Sequence, residues 1–172
     1  MTTTASQLSQ SLGTEVAREF SEALERIEHC LRQLDEMQVW WRPDEQLNSI
    51  ANLLLHLGGN VRQWIVAGIG GAEDVRERPD EFSSRGPQAK QSLFQRLQDT
   101  VSEAQAALCQ VTPEDLLRVR RIQEFDVTGI QAIIECVAHF RGHTQEIVHM
   151  TRRQLGDAYE FAFVPKTPEQ GA

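Results

Sequence analysis

Four long segments of the chain repeat apolar residues at steps of three and four positions. They run from about Leu12 to Gln38, from Asn48 or Ser49 to about Gly68, from about Pro87 to Gln110, and from near Thr128 to Gly156. The repeating residues of the first segment are Val16, Phe20, Ala23, Leu24, Ile27, Leu31 and Leu34. This spacing places apolar side chains on one face of an α-helix, so each segment is predicted to be an amphipathic helix.

The connections between these helices define the expected architecture. The sequence Trp40-Trp41-Arg42-Pro43 ends the first helix, because the residue before a proline avoids helical backbone angles. The stretch from Gly70 to Gly86 is rich in glycine, proline and charge, which indicates a long crossover loop. We expect a short helical turn at 112–115 and extended or irregular chain at 119–126. Together these features predict an all-α fold, an antiparallel four-helix bundle with one long crossover loop between its second and third helices.

We expect a single domain over residues 1–172. A chain of this length buries a sizeable core without disulfides. The helical core is predicted to span about residues 12–155, and Gly156 suits the end of the last helix. The tail at 157–172 carries three aromatic residues that are available to dock on the bundle, and its last residues are expected to be mobile.

Composition excludes several classes of function. The formal net charge is −8, and no basic run is interleaved with aromatic residues, so the surface is a poor partner for nucleic acid. The longest apolar stretches are too short to span a bilayer, and the first residues lack the pattern of a signal peptide. The three cysteines are scattered without metal-binding spacing. We therefore expect a cytoplasmic protein with reduced thiols and no membrane partner.

Two histidines of the last helix indicate a metal site. His139 and His143 are four residues apart, so their imidazoles lie on one side of the helix about one turn apart. A third imidazole from a neighbouring helix would complete a three-ligand site, and His56 in the second helix is the candidate. Three protein ligands leave one coordination position open, as in catalytic zinc sites. His29 and His149 project from polar faces of their helices, and we exclude them as ligands.

His56 belongs to a narrow polar strip on an otherwise apolar helix. The strip consists of Asn52, His56, Asn60 and Gln63. Polar groups that are buried without partners cost on the order of 1–3 kcal/mol each, so a liganded or water-filled cavity is expected beside this strip. We expect Asn52, Asn60 and Gln63 to orient a bound substrate or cofactor. The alternative is that the three histidines are hydrogen-bonded core residues in a helical protein without a metal.

Two short stretches resemble the signatures of the DinB-like superfamily of four-helix-bundle metalloproteins. They are HLGGNVRQWI around His56 and HFRGHTQEI around His139 and His143. The resemblance covers about residues 12–155. Within the superfamily, the chain is similar to an uncharacterised branch related to bacillithiol- and mycothiol-dependent transferases. The resemblance implies a divalent metal, zinc or nickel, bound by these three histidines. It also implies a low-molecular-weight thiol as a possible second cofactor.

The chain departs from its apparent relatives at Glu146. Relatives commonly carry glutamine where this chain has glutamate, one helical turn after His143. Glu146 could accept a hydrogen bond from an imidazole, act as a fourth ligand, or act as a catalytic general base. The remaining possibility is a solvated surface carboxylate.

These features favour a metal-dependent enzyme acting on a small molecule, either a hydrolase or a thiol-dependent transferase. The two arginines Arg76 and Arg78 of the crossover loop are candidates for contact with a substrate carboxylate, or are simply solvated. The alternative function is a non-catalytic metal-binding or dimerisation module. A homodimer is expected, with its interface drawn from Trp40, Trp41, Phe161 and Phe163.

Overall fold

The computed structural model describes residues 3–164, and most of them are helical. The four long elements are α1 (Thr4–Gln33), α3 (Ile50–Val61), α5 (Lys90–Cys109) and α7 (Gly129–Leu155). The helix α3 continues without a break into a π-helical turn, Arg62–Ala67. The shorter elements are α2 (Glu36–Trp40), α4 (Arg78–Ser83), α6 (Pro113–Leu117), β1 (Val119–Ile122) and β2 (Phe125–Thr128). The predicted predominance of helix is confirmed, with one small sheet added.

The first helix differs from its predicted bounds at both ends. It begins at Thr4 rather than near Leu12, because the side chain of Thr3 caps it by accepting a hydrogen bond from the backbone N–H of Ser6. It ends at Gln33 because Asp35 and Gln38 form a capping box that starts the separate helix α2. The expected continuous helix to Gln38 is therefore two helices with a bend between them.

The long helices share one apolar core. Helix α1 packs against α5 and α7, and α3 packs against the same two helices. Phe20 of α1 and Phe140 of α7 are fully buried and meet edge to face, with ring centroids 5.1 Å apart. Burial of one large apolar side chain contributes roughly 1.5–3 kcal/mol, so this contact fixes α1 against α7, the helix that also packs against α3.

The crossover segment, residues 70–86, is more ordered than the loop expected from sequence. It contains α4, which packs against α3. The buried side chain of Asn52 donates hydrogen bonds to the carbonyl oxygens of Glu81 and Ser84, at 2.8 and 3.1 Å. Arg42 donates to the side-chain oxygen of Asn52 and to the carbonyl of Ser84. These bonds fasten the crossover segment to the first turn of α3.

The segment at 119–126, expected to be extended or irregular, forms part of a β-hairpin. Strands β1 and β2 are antiparallel, and Ile122 pairs with Phe125 at the turn. The two turn residues, Gln123 and Glu124, have φ of 49° and 72°, the left-handed region in which non-glycine residues are uncommon. The hairpin thereby carries Gln123 to the π-helical turn, where its side chain donates a hydrogen bond to Gln63.

The described part of the tail docks on α1, in agreement with the expectation that it packs on the bundle. The carbonyl of Glu160 accepts hydrogen bonds from His29, at 2.6 Å, and from Gln33, at 3.2 Å. Phe163 is 77% exposed, and the expected mobile end beyond residue 164 lies outside the described residues. Within residues 3–164, every helix is too short or too polar to cross a membrane.

Candidate metal centre

Three imidazoles from two helices converge where α3 packs against α7. His56 comes from α3, and His139 and His143 come from successive turns of α7. One potential ligand atom from each residue lies within 4.8 Å of the other two. The three rings are close to mutually perpendicular, and their centroids are 4.5–5.2 Å apart. The structure therefore brings together the three residues that the helical periodicity selected.

The ring nitrogens of His56 and His139 are within hydrogen-bond distance of each other. Their Nε2 atoms are 2.9 Å apart, and one of the two must carry a hydrogen when they hydrogen-bond to each other. His56 is 5% exposed. Two nitrogen lone pairs that face each other in a largely buried place repel, unless a proton or a metal ion lies between them.

The other nitrogen of His56 is held by a carboxylate from the crossover segment. Its Nδ1 lies 2.8 Å from Oε2 of Glu81, and both side chains are less than a tenth exposed. Arg76 in turn donates two hydrogen bonds to the same carboxylate, at 2.6 and 2.8 Å. Because a carboxylate only accepts, Nδ1 of His56 carries the hydrogen and Nε2 is the atom that faces the cluster.

A glycine makes room for this carboxylate. A Cβ atom placed on Gly59 would overlap with the side-chain oxygen of Glu81 and lie 3.0 Å from the guanidinium of Arg76. A Cβ atom on the preceding Gly58 would meet only Leu97, at 3.9 Å, which is ordinary van der Waals contact. The second glycine of the pair therefore permits Glu81 to reach His56.

His143 has a carboxylate partner of its own. Its Nδ1 lies 2.7 Å from Oε2 of Glu146, one turn further along α7. This pair is more open than the first, with side chains 25% and 46% exposed. Of the roles considered from the sequence, the arrangement matches the one in which Glu146 accepts a hydrogen bond from an imidazole. The solvated-carboxylate alternative accounts for its exposure but not for this contact.

The environment opposes extra positive charge in the cluster. Burial and the nearby groups His143, His56, Arg76 and Arg78 lower the pKa of His139 to about 4. Burial alone would raise the pKa of Glu81, but hydrogen bonds and charges from Arg76 and His56 outweigh it and hold that pKa below its usual value. At neutral pH the site therefore contains a neutral imidazole at His139 and an ionised carboxylate at Glu81.

A cavity of about 270 Å³ opens beside His56 and His139. Its walls come from the π-helical turn, the crossover segment, the hairpin and α7. The lining residues beyond the two histidines include Asn60, Trp64, Arg76, Arg78, Gln123 and Glu135. Cys136 also lines it, and burial raises the pKa of this thiol to about 12, so it stays protonated. A small molecule in this cavity would contact two of the three imidazoles.

The three residues expected to orient a substrate are placed differently from one another. Asn60 lines the cavity. Asn52 does not, because its side chain is fully buried in the bonds that fasten the crossover segment. Gln63 is turned toward Asp74, Arg76 and Gln123, to which it is hydrogen-bonded, and so supports the wall from behind. Because the three residues lie on one polar strip, the sequence predicted a common environment for them. It did not predict that each side chain has different partners.

Sequence reasoning missed Glu81 and Trp64 as residues of the site. Glu81 is 25 positions from His56 and lies in a segment whose composition indicated a solvated loop. A signal was present, since Pro79 followed by Asp80 and Glu81 is a helix-starting pattern. Trp64 lies outside the polar strip of its helix and yet lines the cavity. His149 is exposed, and His29 bonds to the tail, so both stand apart from the cluster.

The donor set fits a divalent metal ion. Imidazole nitrogens suit zinc and nickel. Metal-binding histidines characteristically donate their other ring N–H to a carboxylate, as His56 and His143 do here. Three neutral ligands would leave the charge of the ion largely uncompensated by its ligands, and the adjoining cavity gives access to a further coordination position.

Comparison with known proteins places the chain in a family. The model of a family described as "Protein of unknown function (DUF1572)" matches residues 7–168. The crystal structure of a conserved protein from Enterococcus faecalis has the same fold, with a TM-score of 0.69 at 18% identity over 90% of this chain and 99% of that one. No curated protein matches the sequence. Since the family model spans nearly the whole chain, the protein belongs to the DUF1572 family.

Proposed function

We propose that the protein is a DinB-like metalloprotein in which His56, His139 and His143 hold one divalent cation, zinc or nickel. The observation that carries the proposal is the convergence of three imidazoles, two of which have their second nitrogen fixed by a carboxylate. The proposal includes the antiparallel four-helix arrangement of that superfamily. The packing of α1 and α3 against both α5 and α7 supports it.

We further propose that the centre is catalytic and acts on a small molecule. When bound, the metal would lower the pKa of a coordinated water or thiol and supply a nucleophile at neutral pH. The cavity supports this role because it touches His56 and His139 from one side and is large enough for a small substrate. A purely structural metal would need no such access.

Two reactions use such a metal centre, and a different feature of the cavity favours each of them. Thiol-dependent transfer is favoured by the donors and cations in the walls, Asn60, Gln123 and Arg78, which suit a polar anionic thiol. Hydrolysis is favoured by Glu135, a carboxylate in the wall that can take a proton from an attacking water. Glu146, engaged with His143, is better placed to orient that imidazole than to act as this base.

Elemental analysis of protein purified without a histidine tag tests the metal proposal. We expect about one zinc or nickel ion per chain and loss of most of it on replacement of any one of the three histidines by alanine. His149→Ala is the matched control, because this exposed residue lies on α7 outside the cluster. Protein that folds normally and contains no divalent metal after growth with zinc or nickel would refute the proposal.

The two reactions differ in the ligand at the open coordination position of the metal, which is a thiolate in thiol transfer and water in hydrolysis. Nickel-loaded protein should develop a near-ultraviolet thiolate-to-metal absorption band on addition of a low-molecular-weight thiol if it is a transferase. A hydrolase should turn over its substrate without added thiol and should lose that turnover in Glu135→Gln. Metal binding without turnover of any substrate in either assay would favour the non-catalytic alternative.

We also propose a homodimer that uses the aromatic surface beside the tail. Trp41 is 38% exposed and Phe161 57% exposed, although Arg153 and Arg152 partly cover their rings. Trp40 is less available, because its indole donates to the carbonyl of Gln88. Sedimentation should show a dimer that dissociates in Trp41→Ser, and a monomeric wild-type protein would refute this part.

A further inference from the structure

We propose that the cavity beside the three histidines binds the carboxylate group of a small molecule. This inference rests on the proposed function, since it names the class of substrate or thiol that would lie next to the metal. It is carried by three hydrogen-bond donors in the cavity wall, Trp64, Arg78 and Asn60, whose capacity the described residues leave unused or only partly used.

Trp64 contributes a buried donor without an acceptor. The residue lines the cavity and is 6% exposed, and its indole Nε1 has no hydrogen-bond partner within residues 3–164. Buried N–H groups are almost always paired, because an unpaired one loses its hydration without compensation. Trp64 lies in the π-helical turn, an irregularity that is frequent at functional sites. Nε1 itself is closed to water, so an acceptor oxygen from a bound molecule would satisfy this group after a small shift of the indole toward the cavity.

Arg78 contributes the charge. Its guanidinium lies over the ring of Phe82, 4.9 Å from the centroid, and that ring is 4.8 Å from the ring of His56. The stack places a cation next to the metal centre. No carboxylate lies within salt-bridge distance of Arg78 in the described part of the chain, whereas Arg76 is matched by Glu81.

Asn60 adds an amide donor. Its side-chain oxygen accepts a weak hydrogen bond from the thiol of Cys136, at 3.5 Å. Because the oxygen is used in this way, the amide nitrogen of Asn60 is the atom left to donate. Two neutral donors and a guanidinium together match the oxygens of a carboxylate.

In the metal-free protein, the balance of charge in the wall favours a carboxylate over a phosphate. The wall contains one guanidinium without a carboxylate partner, Arg78, and one carboxylate without a cationic partner, Glu135, so it has little surplus positive charge. A phosphate monoester carries nearly two negative charges at neutral pH, and without the metal it would lack a second cation in the wall. A carboxylate carries one, and neutral donors can complete its hydrogen bonding.

The indole N–H signal of Trp64 provides a direct test. The chain has three tryptophans, so ¹⁵N-labelled protein gives three indole signals, and Trp64→Phe identifies the relevant one. Propionate should shift this signal, and propanamide, its neutral analogue, should not. An equal shift with the amide, no shift with propionate, or a larger shift with inorganic phosphate would overturn the inference.

Affinity in the metal-loaded protein provides a second test. We expect 3-mercaptopropionate to bind about 3–10-fold more tightly than 3-mercaptopropanamide, the range for a partly solvated charged hydrogen bond. Arg78→Gln should remove this difference without changing the metal content. Arg121→Gln is the matched control, since it removes the same charge from the exposed hairpin outside the cavity. A difference that survives in Arg78→Gln would contradict the assignment.

Failure of the inference and failure of the proposed function give different results. If no metal is found, the metal proposal fails, and the propionate shift still decides whether the cavity takes a carboxylate. If the metal is present and neither the indole shift nor the affinity responds to the charge of the probe, the carboxylate assignment fails and the metal centre stands.

Discussion

The two imidazole–carboxylate pairs of the site are built in opposite ways. His143 and Glu146 belong to consecutive turns of α7, and their contact needs only an intact helix. His56 and Glu81 come from α3 and from the crossover segment, 25 positions apart. The first pair is partly solvated, whereas the second is buried and carries the paired guanidinium of Arg76.

The pair of His143 and Glu146 is therefore a local contact within one helix, whereas the pair of His56 and Glu81 is a tertiary contact between two segments. Water screens the pair on α7 and can replace either partner, so its contribution to stability is small. The buried pair is expensive to assemble and more expensive to break, because removal of one partner leaves a charge without compensation in a dry place. The orientation of His56 should therefore depend on the fold far more than that of His143.

The largest effect is expected from Glu81→Gln. The change keeps the volume but removes the charge that balances Arg76, and loss of one partner of a buried pair costs about 3 kcal/mol. Metal affinity should fall about 10–100-fold, as for other partners of metal-binding histidines. Chemical denaturation and competition with a chelator measure the two quantities. An unchanged metal affinity would mean that Glu81 does not orient His56.

The second prediction is that the buried pair can be disrupted without replacing either His56 or Glu81. Gly59→Ala puts a methyl group where the carboxylate of Glu81 lies, so Glu81 and Arg76 must shift. We expect roughly a tenfold loss of metal affinity, the lower end of the range for such partners. Gly58→Ala is the matched control and should be neutral or slightly stabilising, because the site is open and alanine favours helix. Equal effects from both substitutions would contradict this account.

The third prediction concerns the pH dependence of stability in metal-free protein. The pKa of His139 is lowered from 6.5 to about 4 by burial and by nearby positive groups. Between these values the unfolded chain binds more protons than the folded chain, so the free energy of unfolding should decrease as pH falls from 6.5 to 4. The slope is below about 1.4 kcal/mol per pH unit, the limit for one proton.

Denaturation in the presence of a chelator at several pH values measures this slope. His139→Ala should flatten the profile above pH 4.5, where Glu81, with its lowered pKa, remains ionised in both states. Below that value Glu81 adds a further loss of stability in the same direction, because its carboxyl group is then protonated in the unfolded chain while its lowered pKa keeps it ionised in the folded chain. A flat wild-type profile between pH 4.5 and 6.5 would show that the imidazole of His139 is solvated.

The smallest effect is expected from Glu146→Gln, which keeps the volume of the side chain and removes its charge. A glutamine oxygen can still accept from His143, and the carboxylate is 46% exposed, so metal affinity should fall only about threefold. Glu25→Gln, an exposed glutamate of α1, is the control. A loss as large as that in Glu81→Gln would remove the distinction between the two pairs.

The local pair could be predicted from the sequence, whereas the tertiary pair could not. The spacing of His139, His143 and Glu146 fixes their common side through helix geometry alone, and the structure places them together. The polar strip on α3 also follows from helix geometry, and it identified His56 as the third candidate ligand. Glu81 could not be placed, because no local periodicity relates it to His56 and its position depends on a glycine in another element.

Other differences have equally local causes. The end of α1 was missed although Asp35 and Gln38 show the spacing of a capping box, which is a readable signal. The cavity wall at Gln123 was beyond reach, since it depends on two consecutive left-handed residues that sequence patterns rarely indicate.

The hydrogen bonds of Asn52 have a further consequence for how the site opens. One side chain links the first turn of α3 to the carbonyls of Glu81 and Ser84, so the N-terminus of α3 and α4 should lose their protection against hydrogen exchange together. In that locally open state His56 loses its carboxylate. The rate at which a bound ion is released should then follow the opening of this small unit and not the unfolding of the helical core. Asn52→Ala would speed both exchange and ion release by the same factor.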